Sequence, residues 1–280
     1  MVLGTAVAGL SCLADVTSAN IVGYQSNTLV AGKYNMISLP FAGVATGTQK
    51  LSEALSGGNW YPNDDMNLAD NILVYDPATA DYKYYYYWID ESGATTADNG
   101  WYYSDGVTFF DDCEWNADGL EAGWSVWYRS RGKNAPNVTF SGAVESADDV
   151  QITIYGGCYN MIANPFPVAF QPNADQPWWE DKRFAKAVDW NHPHANDDMN
   201  LADNILVYDP ATADYAYYYY WEDSSHEYDG WYASNGVDYF ETDPLHPENA
   251  DGLTAGRVFW YRSRDAKGSN RKITFINPTK

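Results

Sequence analysis

Short apolar and aromatic runs, separated by turn-forming residues, recur along the chain. Ile72 to Tyr75 is β-branched and apolar and reads as a strand. Asp76-Pro77 starts a turn, because proline presets φ at the second turn position, and Tyr82 to Trp88 returns as the partner strand. The same hairpin is written again from Ile205 to Trp221. A second hairpin is expected just downstream. Trp101-Tyr102-Tyr103-Ser104 precedes Asp105-Gly106 and Val107-Thr108-Phe109-Phe110, and Trp231-Tyr232-Ala233-Ser234 precedes Asn235-Gly236 and Val237-Asp238-Tyr239-Phe240. Asp-Gly and Asn-Gly both suit a two-residue type I′ turn, which needs positive φ at both central residues.

The rest of the chain follows the same doubling. Asn63 to Trp88 and Asn196 to Trp221 are identical except for Lys83 against Ala216. Tyr34-Asn35-Met36-Ile37 runs to Pro40-Phe41, and Tyr159-Asn160-Met161-Ile162 runs to Pro165-Phe166. Asn116-Ala117-Asp118-Gly119 and Asn249-Ala250-Asp251-Gly252 are matched turns ahead of strands at Trp124 to Ser130 and Val258 to Ser263. Val138-Thr139-Phe140 and Ile273-Thr274-Phe275 close the repeats. Self-similarity at a fixed offset is a fold-level signal. It predicts two tandem antiparallel β-sandwich domains from an internal duplication, one over residues 20–144 and one over 150–277. Many short strands without long intervening helices exclude a parallel α/β sheet. The linker, Glu145 to Asp149, is short and acidic, so the domains are expected to touch. Two helical segments are expected outside this pattern: Thr48 to Leu55, stopped by Gly57-Gly58, and a stretch opening at Pro177 with Phe184 and Val188 on one face.

Composition changes the picture in two ways. The 280 residues carry 24 Tyr and 12 Trp, which supply a large apolar core. Lys plus Arg total 16 against 38 Asp plus Glu, a formal charge of -22. That field repels phosphate backbones and argues against nucleic acid, while it favours cations such as Ca²⁺.

Val2 to Ala14 is uncharged, small and apolar. It has the length of a signal-peptide core, and residues 1–19 are read as a signal-like segment. No segment is apolar for long enough to span a membrane. Export permits disulfides, and Cys113 with Cys158 is the candidate pair; two free buried thiols are the alternative.

Three constellations are candidates for chemistry. On a strand, successive side chains face opposite ways. Tyr84, Tyr86 and Trp88 therefore share one face and Tyr85 and Tyr87 the other, as do Tyr217, Tyr219 and Trp221 against Tyr218 and Tyr220. One face fills the sandwich core. The surplus face meets solvent, the neighbouring domain, another copy of the chain or a sugar ring; cross-strand packing alone is the plainer reading. The acidic runs Asp64, Asp65, Asn67, Asp70 and Asp197, Asp198, Asn200, Asp203 supply hard oxygens for Ca²⁺, although their spacing is not that of an EF-hand. His192-Pro193-His194 with Asp189 has the ligand types for zinc. A nucleophile elbow, phosphate loop, dinucleotide fingerprint and zincin helix are all missing from the sequence.

The Gly-x-Tyr-Asn-Met-Ile-x-x-Pro-Phe opening at Gly32 to Phe41 and Gly157 to Phe166, with the Trp-Tyr-Arg-Ser strand near each repeat end, resembles secreted bacterial tandem β-sandwich repeat proteins. The resemblance implies export and a bacterial source and carries over no functional residues. The expectation is a secreted, non-catalytic structural or adhesive protein of the cell surface or extracellular matrix, self-assembling through aromatic faces. The alternative is a carbohydrate-binding protein with Ca²⁺-stabilised loops.

Overall fold

The computed structural model describes residues 22–39, 41–42, 48–50, 60–89, 100–104, 119–121, 124–132, 137–144, 147–166, 169–173, 176, 188–222, 224–234 and 257–277. These residues form strands and connecting turns and contain no helix. Among them no helix is long and apolar enough to cross a membrane.

The first half contributes β1 (Val22–Thr28), β2 (Tyr34–Leu39), β3 (Phe41–Ala42), β4 (Thr48–Lys50), β5 (Asn71–Asp76), β6 (Asp81–Trp88), β7 (Gly100–Ser104), β8 (Gly119–Glu121), β9 (Trp124–Arg129) and β10 (Asn137–Val144). The second contributes β11 (Asp149–Ile154), β12 (Tyr159–Ala163), β13 (Val188–Asp189), β14 (Asn204–Asp209), β15 (Asp214–Trp221), β16 (Gly230–Ser234), β17 (Val258–Arg262) and β18 (Arg271–Ile276). Each half has a three-stranded sheet, β1-β10-β3 or β11-β18-β13, and a five-stranded sheet, β2-β9-β5-β6-β7 or β12-β17-β14-β15-β16. The two five-stranded orders are equivalent strand for strand. Every described pairing is antiparallel, and none crosses between halves.

Alternation along the strands fixes the layers. In the second half Ile162, Ile205, Val207, Tyr218, Trp231, Phe259 and Tyr261 point inward from the five-stranded sheet. They meet Ile154, Val188, Ile273 and Phe275 from the three-stranded sheet, giving a sandwich core. Ile37, Ile72, Val74, Tyr85, Trp101, Val126 and Tyr128 form the corresponding core of the first half. Tyr85 and Tyr87, and Tyr218 and Tyr220, thus take the core side of their strands.

The repeated opening motif is a turn device. Gly32 and Gly157 each adopt φ +70°, a left-handed conformation that costs glycine little. Asn35 Oδ1 then accepts from the Val30 N–H at 2.7 Å, and Asn160 Oδ1 from the Tyr155 N–H at 2.8 Å. Each asparagine's Nδ2 donates back to the carbonyl of the same partner residue. The asparagine thereby pins the turn that launches the sheet's edge strand.

Two expectations need correction. Thr48–Lys50 is a strand paired with Gly119–Glu121 and not the start of a helix, and residues 51–59 lie outside the described residues. Val188 is likewise a strand residue, opposite Phe275. In both places a partner strand supplies the ladder hydrogen bonds, and tertiary pairing overrides a weak local helical pattern. The Asp105-Gly106 and Asn235-Gly236 turns and their return strands lie outside the described residues.

Candidate functional site

The second face of each five-stranded sheet carries the surplus rings, and the two faces meet. Trp127, Leu206 and Trp260 form a buried cluster between the halves. Tyr34, Met36, Leu73, Tyr75 and Tyr82 surround it from one side, and Met161, Tyr208, Tyr215 and Tyr217 from the other. The contacts are reciprocal. Tyr75 meets Trp260 edge-on at 4.9 Å, and Tyr208 meets Trp127 edge-on at 4.8 Å. The same patch on each half faces its counterpart, an isologous arrangement within one chain. Burial there, followed by the neighbouring Tyr75 hydroxyl, pushes the Tyr82 phenol up to about 12. Tyr215 is raised too, first by burial and then by Tyr208 and Tyr217, against a hydrogen bond from Trp260.

The tyrosine tract is therefore divided three ways. Tyr82, and Tyr215 with Tyr217, lie at the junction between halves. Tyr85 and Tyr87, and Tyr218 and Tyr220, belong to the sandwich cores. Tyr86 is 1% exposed and Tyr219 2%, although both are on the outer face. The acidic loop explains their burial. In the second half Ala202 and Met199 pack on Tyr219, Tyr232 and Trp221. Ser234 Oγ contacts Met199 Sδ at 3.1 Å, and Ser104 contacts Met66 in the same way at 3.2 Å. Trp88 meets Tyr102 edge-on beside this lid, as Trp221 meets Tyr232.

The loop holds itself together by Asx turns. Asp65 Oδ1 accepts from the Asn67 N–H and Asp198 Oδ1 from the Asn200 N–H, both at 2.8 Å. Asn71 and Asn204 donate to the Met66 and Met199 carbonyls. Asp64, Asp65 and Asn67 are exposed, as are Asp197, Asp198 and Asn200. The structure does not group Asp70 and Asp203 with them, because both are buried at the foot of the lid. Asp70 accepts from the Tyr61 N–H at 2.8 Å, the Arg131 N–H at 2.6 Å and the Tyr128 hydroxyl. Asp203 accepts from the His194 N–H at 2.9 Å, the Arg264 N–H at 2.6 Å and the Tyr261 hydroxyl at 2.6 Å. Burial, then the adjacent carboxylate, drives both phenols far above the ordinary tyrosine value.

Among the described residues only Asp203 accepts from a guanidinium as well. Arg271 donates to Asp203, to Tyr261 and, at 2.9 Å, to Asp265. Burial opposes its charge, but Tyr261 and Asp203 outweigh that and hold its pKa above the usual arginine value. In the matched closing strands Arg271 corresponds to Pro136, which lies outside the described residues.

Between the lid and the junction each sheet leaves a cleft. The first, about 290 Å³, is lined by Tyr34, Asn67, Asn71, Tyr84, Arg129 and Arg131 among others. The second, about 90 Å³, is lined by Tyr159, Asn200, Asn204, Tyr217 and Arg262 among others. Arg129 lies over the Tyr34 ring at 4.9 Å and Arg262 over Tyr159 at 5.3 Å. Arg264 does not line the second cleft and is tied at its edge: its Nε donates to the Ala202 carbonyl at 3.1 Å and its NH2 to Oδ1 of Asn204, a residue of the lining, at 3.5 Å. In the first half Arg131 Nε is buried and has no hydrogen-bond partner among the described residues. Burial, followed by the neighbouring Arg129, lowers the Arg131 pKa.

The cleft arginines were missed as functional candidates, although the doubled Trp-Tyr-Arg-Ser-Arg strand end was visible. In a chain this acidic, two arginines at alternate positions were the available signal. Cys158 carries a free thiol, and Cys113 lies outside the described residues. Among the described residues no group of three or more His, Cys, Asp or Glu is positioned to hold a metal ion. His194 serves Asp203 through its backbone, and the His192 carbonyl accepts from Arg271. No protein-family model, curated protein or solved structure matches this chain.

Proposed function

We propose that the chain is a secreted, non-catalytic adhesive protein of the cell surface or extracellular matrix that holds polysaccharide in the cleft of its first five-stranded sheet. The observation that carries this reading is the lining of the 290 Å³ cleft, where Tyr34 and Tyr84 stand with the amides of Asn67 and Asn71 and with two guanidinium groups. A sugar ring offers an apolar face for aromatic side chains and a rim of hydroxyls for amides and arginine. The cleft is of the size that takes one or two sugar units rather than a long segment. Retention on immobilised polysaccharides and binding on a glycan array test the reading. Tyr84→Ala is expected to weaken retention tenfold or more, and failure of the wild-type chain to bind any saccharide would overturn it.

Self-assembly is the second reading, and one observation favours it. The faces around Trp127 and Trp260 are self-complementary, so what pairs within a chain is able to pair between chains. Electron microscopy over a range of concentrations tests this, and persistent monomers remove it. Calcium enters the proposal as an ion for the exposed oxygens of the two lids. Melting with and without a chelator decides that point; an unchanged midpoint takes calcium out.

A further inference from the structure

We infer that the first cleft selects an acidic saccharide, one whose ring carries a carboxylate, and that the second half does not share this preference. The inference rests on the saccharide reading above and adds the charge of the ligand.

The two halves place the same arginines in the same strand, yet they use them differently. Arg264 is committed to its own lid through the Ala202 carbonyl and Asn204, and it is not part of the second cleft's lining. Among the described residues Arg131 makes neither bond. It lines the first cleft beside Arg129, and its buried Nε has no hydrogen-bond partner among those residues. Two guanidinium groups side by side repel each other, and an anion between them relieves that repulsion. A carboxylate offers two coplanar oxygens to such a pair. Tyr34 and Tyr84 with the amides of Asn67 and Asn71 then address the remainder of a sugar ring.

The -22 charge of the whole chain opposes any anion at a distance. The attraction therefore acts only at contact, within the cleft, where screening is weak. Raising salt should then accelerate association, because it removes far-field repulsion before it weakens the buried contacts.

Oligogalacturonate and its methyl ester separate charge from shape, since esterification removes the carboxylate charge and leaves the sugar backbone. The wild-type chain, studied by titration calorimetry, is expected to bind the acid at least tenfold more tightly than the ester. Arg131→Gln and Arg129→Gln should each abolish that preference. Arg131→Gln keeps the backbone N–H that holds Asp70, so the lid's anchor is retained, and a melting curve checks it. Arg264→Gln should leave the preference intact. Equal binding of acid and ester with Arg131→Gln silent would overturn the inference and leave the saccharide reading standing. Loss of the preference in Arg264→Gln would overturn the assignment to the first half. Absence of binding by either form, in a chain that also retains no other saccharide, would take down both.

Discussion

Asp70 and Asp203 sit in identical stretches of sequence, accept from equivalent backbone N–H groups and take a hydrogen bond from equivalent tyrosines. They differ in one partner. Arg271 reaches Asp203 from the three-stranded sheet, and no arginine side chain reaches Asp70 among the described residues. The electrostatics of a repeated loop are thus decided by a strand outside the repeated stretch. The two halves share the strand order of their five-stranded sheets and differ in charge at this loop.

Removing the carboxylate breaks this comparison open. Asp203→Ala takes from Arg271 the buried one of its two carboxylates and leaves it Asp265, so the expected loss is about 3 kcal/mol, the lower end of the cost of breaking a buried pair. Asp70→Ala leaves neutral donors without an acceptor and should cost about 1–3 kcal/mol. Urea unfolding of the two variants measures the difference. Equal losses would mean that Arg271 does nothing for the lid beyond what neutral donors do.

The junction between halves gives a smaller and more symmetrical effect. Tyr75–Trp260 and Tyr208–Trp127 are reciprocal edge-on pairs at nearly the same separation. A double-mutant cycle on either pair, with leucine replacing each ring, should return a coupling of about 0.5–1.5 kcal/mol, the range for aromatic pairs beyond their burial. The cycles should agree with each other. A coupling near zero in both would mean that the halves are not in contact in solution.

Alkali tests the same junction. Burial holds the Tyr82 phenol protonated up to about 12 in the folded chain, against an ordinary value near 10 when unfolded. Between those values the unfolded chain loses a proton that the folded chain keeps, so stability falls as pH rises through that window. Below it the contribution is fully present. Tyr82→Phe lacks this titration, and its stability should fall less over the same interval in a series of melts. Parallel curves for wild type and variant would place Tyr82 in contact with solvent.

Much of this architecture was legible in the sequence, and the reason is local. Ile72 to Tyr75 and Tyr82 to Trp88 had to pair because β-branched and aromatic runs flank a turn that proline starts, and β5 pairs with β6 as expected. Strand alternation also separated Tyr85 and Tyr87 from Tyr84 and Tyr86. What covers the outer face was not legible. The lid that buries Tyr86 and the opposite sheet that buries Trp127 are both distant in sequence, and the period-two pattern says only that a face is apolar. The acidic run reads as one cluster of hard oxygens, but the fold turns Asp70 and Asp203 inward, each just ahead of a strand and with its carboxylate accepting from a core tyrosine of the neighbouring strand. The cleft arginines escaped notice for a related reason: an arginine at a strand end is ordinary until its neighbours across the sheet are known.

The smallest effect serves as the control for all of these comparisons. Ala80 and Ala213 end the tight turns before β6 and β15 with φ of 58° and 63°, a left-handed conformation in which Cβ crowds the backbone. Their N–H groups donate to the Asp76 and Asp209 carbonyls, both at 2.8 Å, and an Asx bond from the same aspartate supports each turn. Replacing either alanine by glycine relieves about 1–2 kcal/mol of backbone strain and costs about 0.5–1 kcal/mol in unfolded-state entropy. A net gain between zero and about 1.5 kcal/mol is expected in a thermal melt. Because the turns match in both sequence and hydrogen bonding, Ala80→Gly and Ala213→Gly should shift stability equally. A clear inequality would mean that the halves differ in backbone strain as well as in charge, and the Asp70–Asp203 contrast could then not be assigned to Arg271 alone.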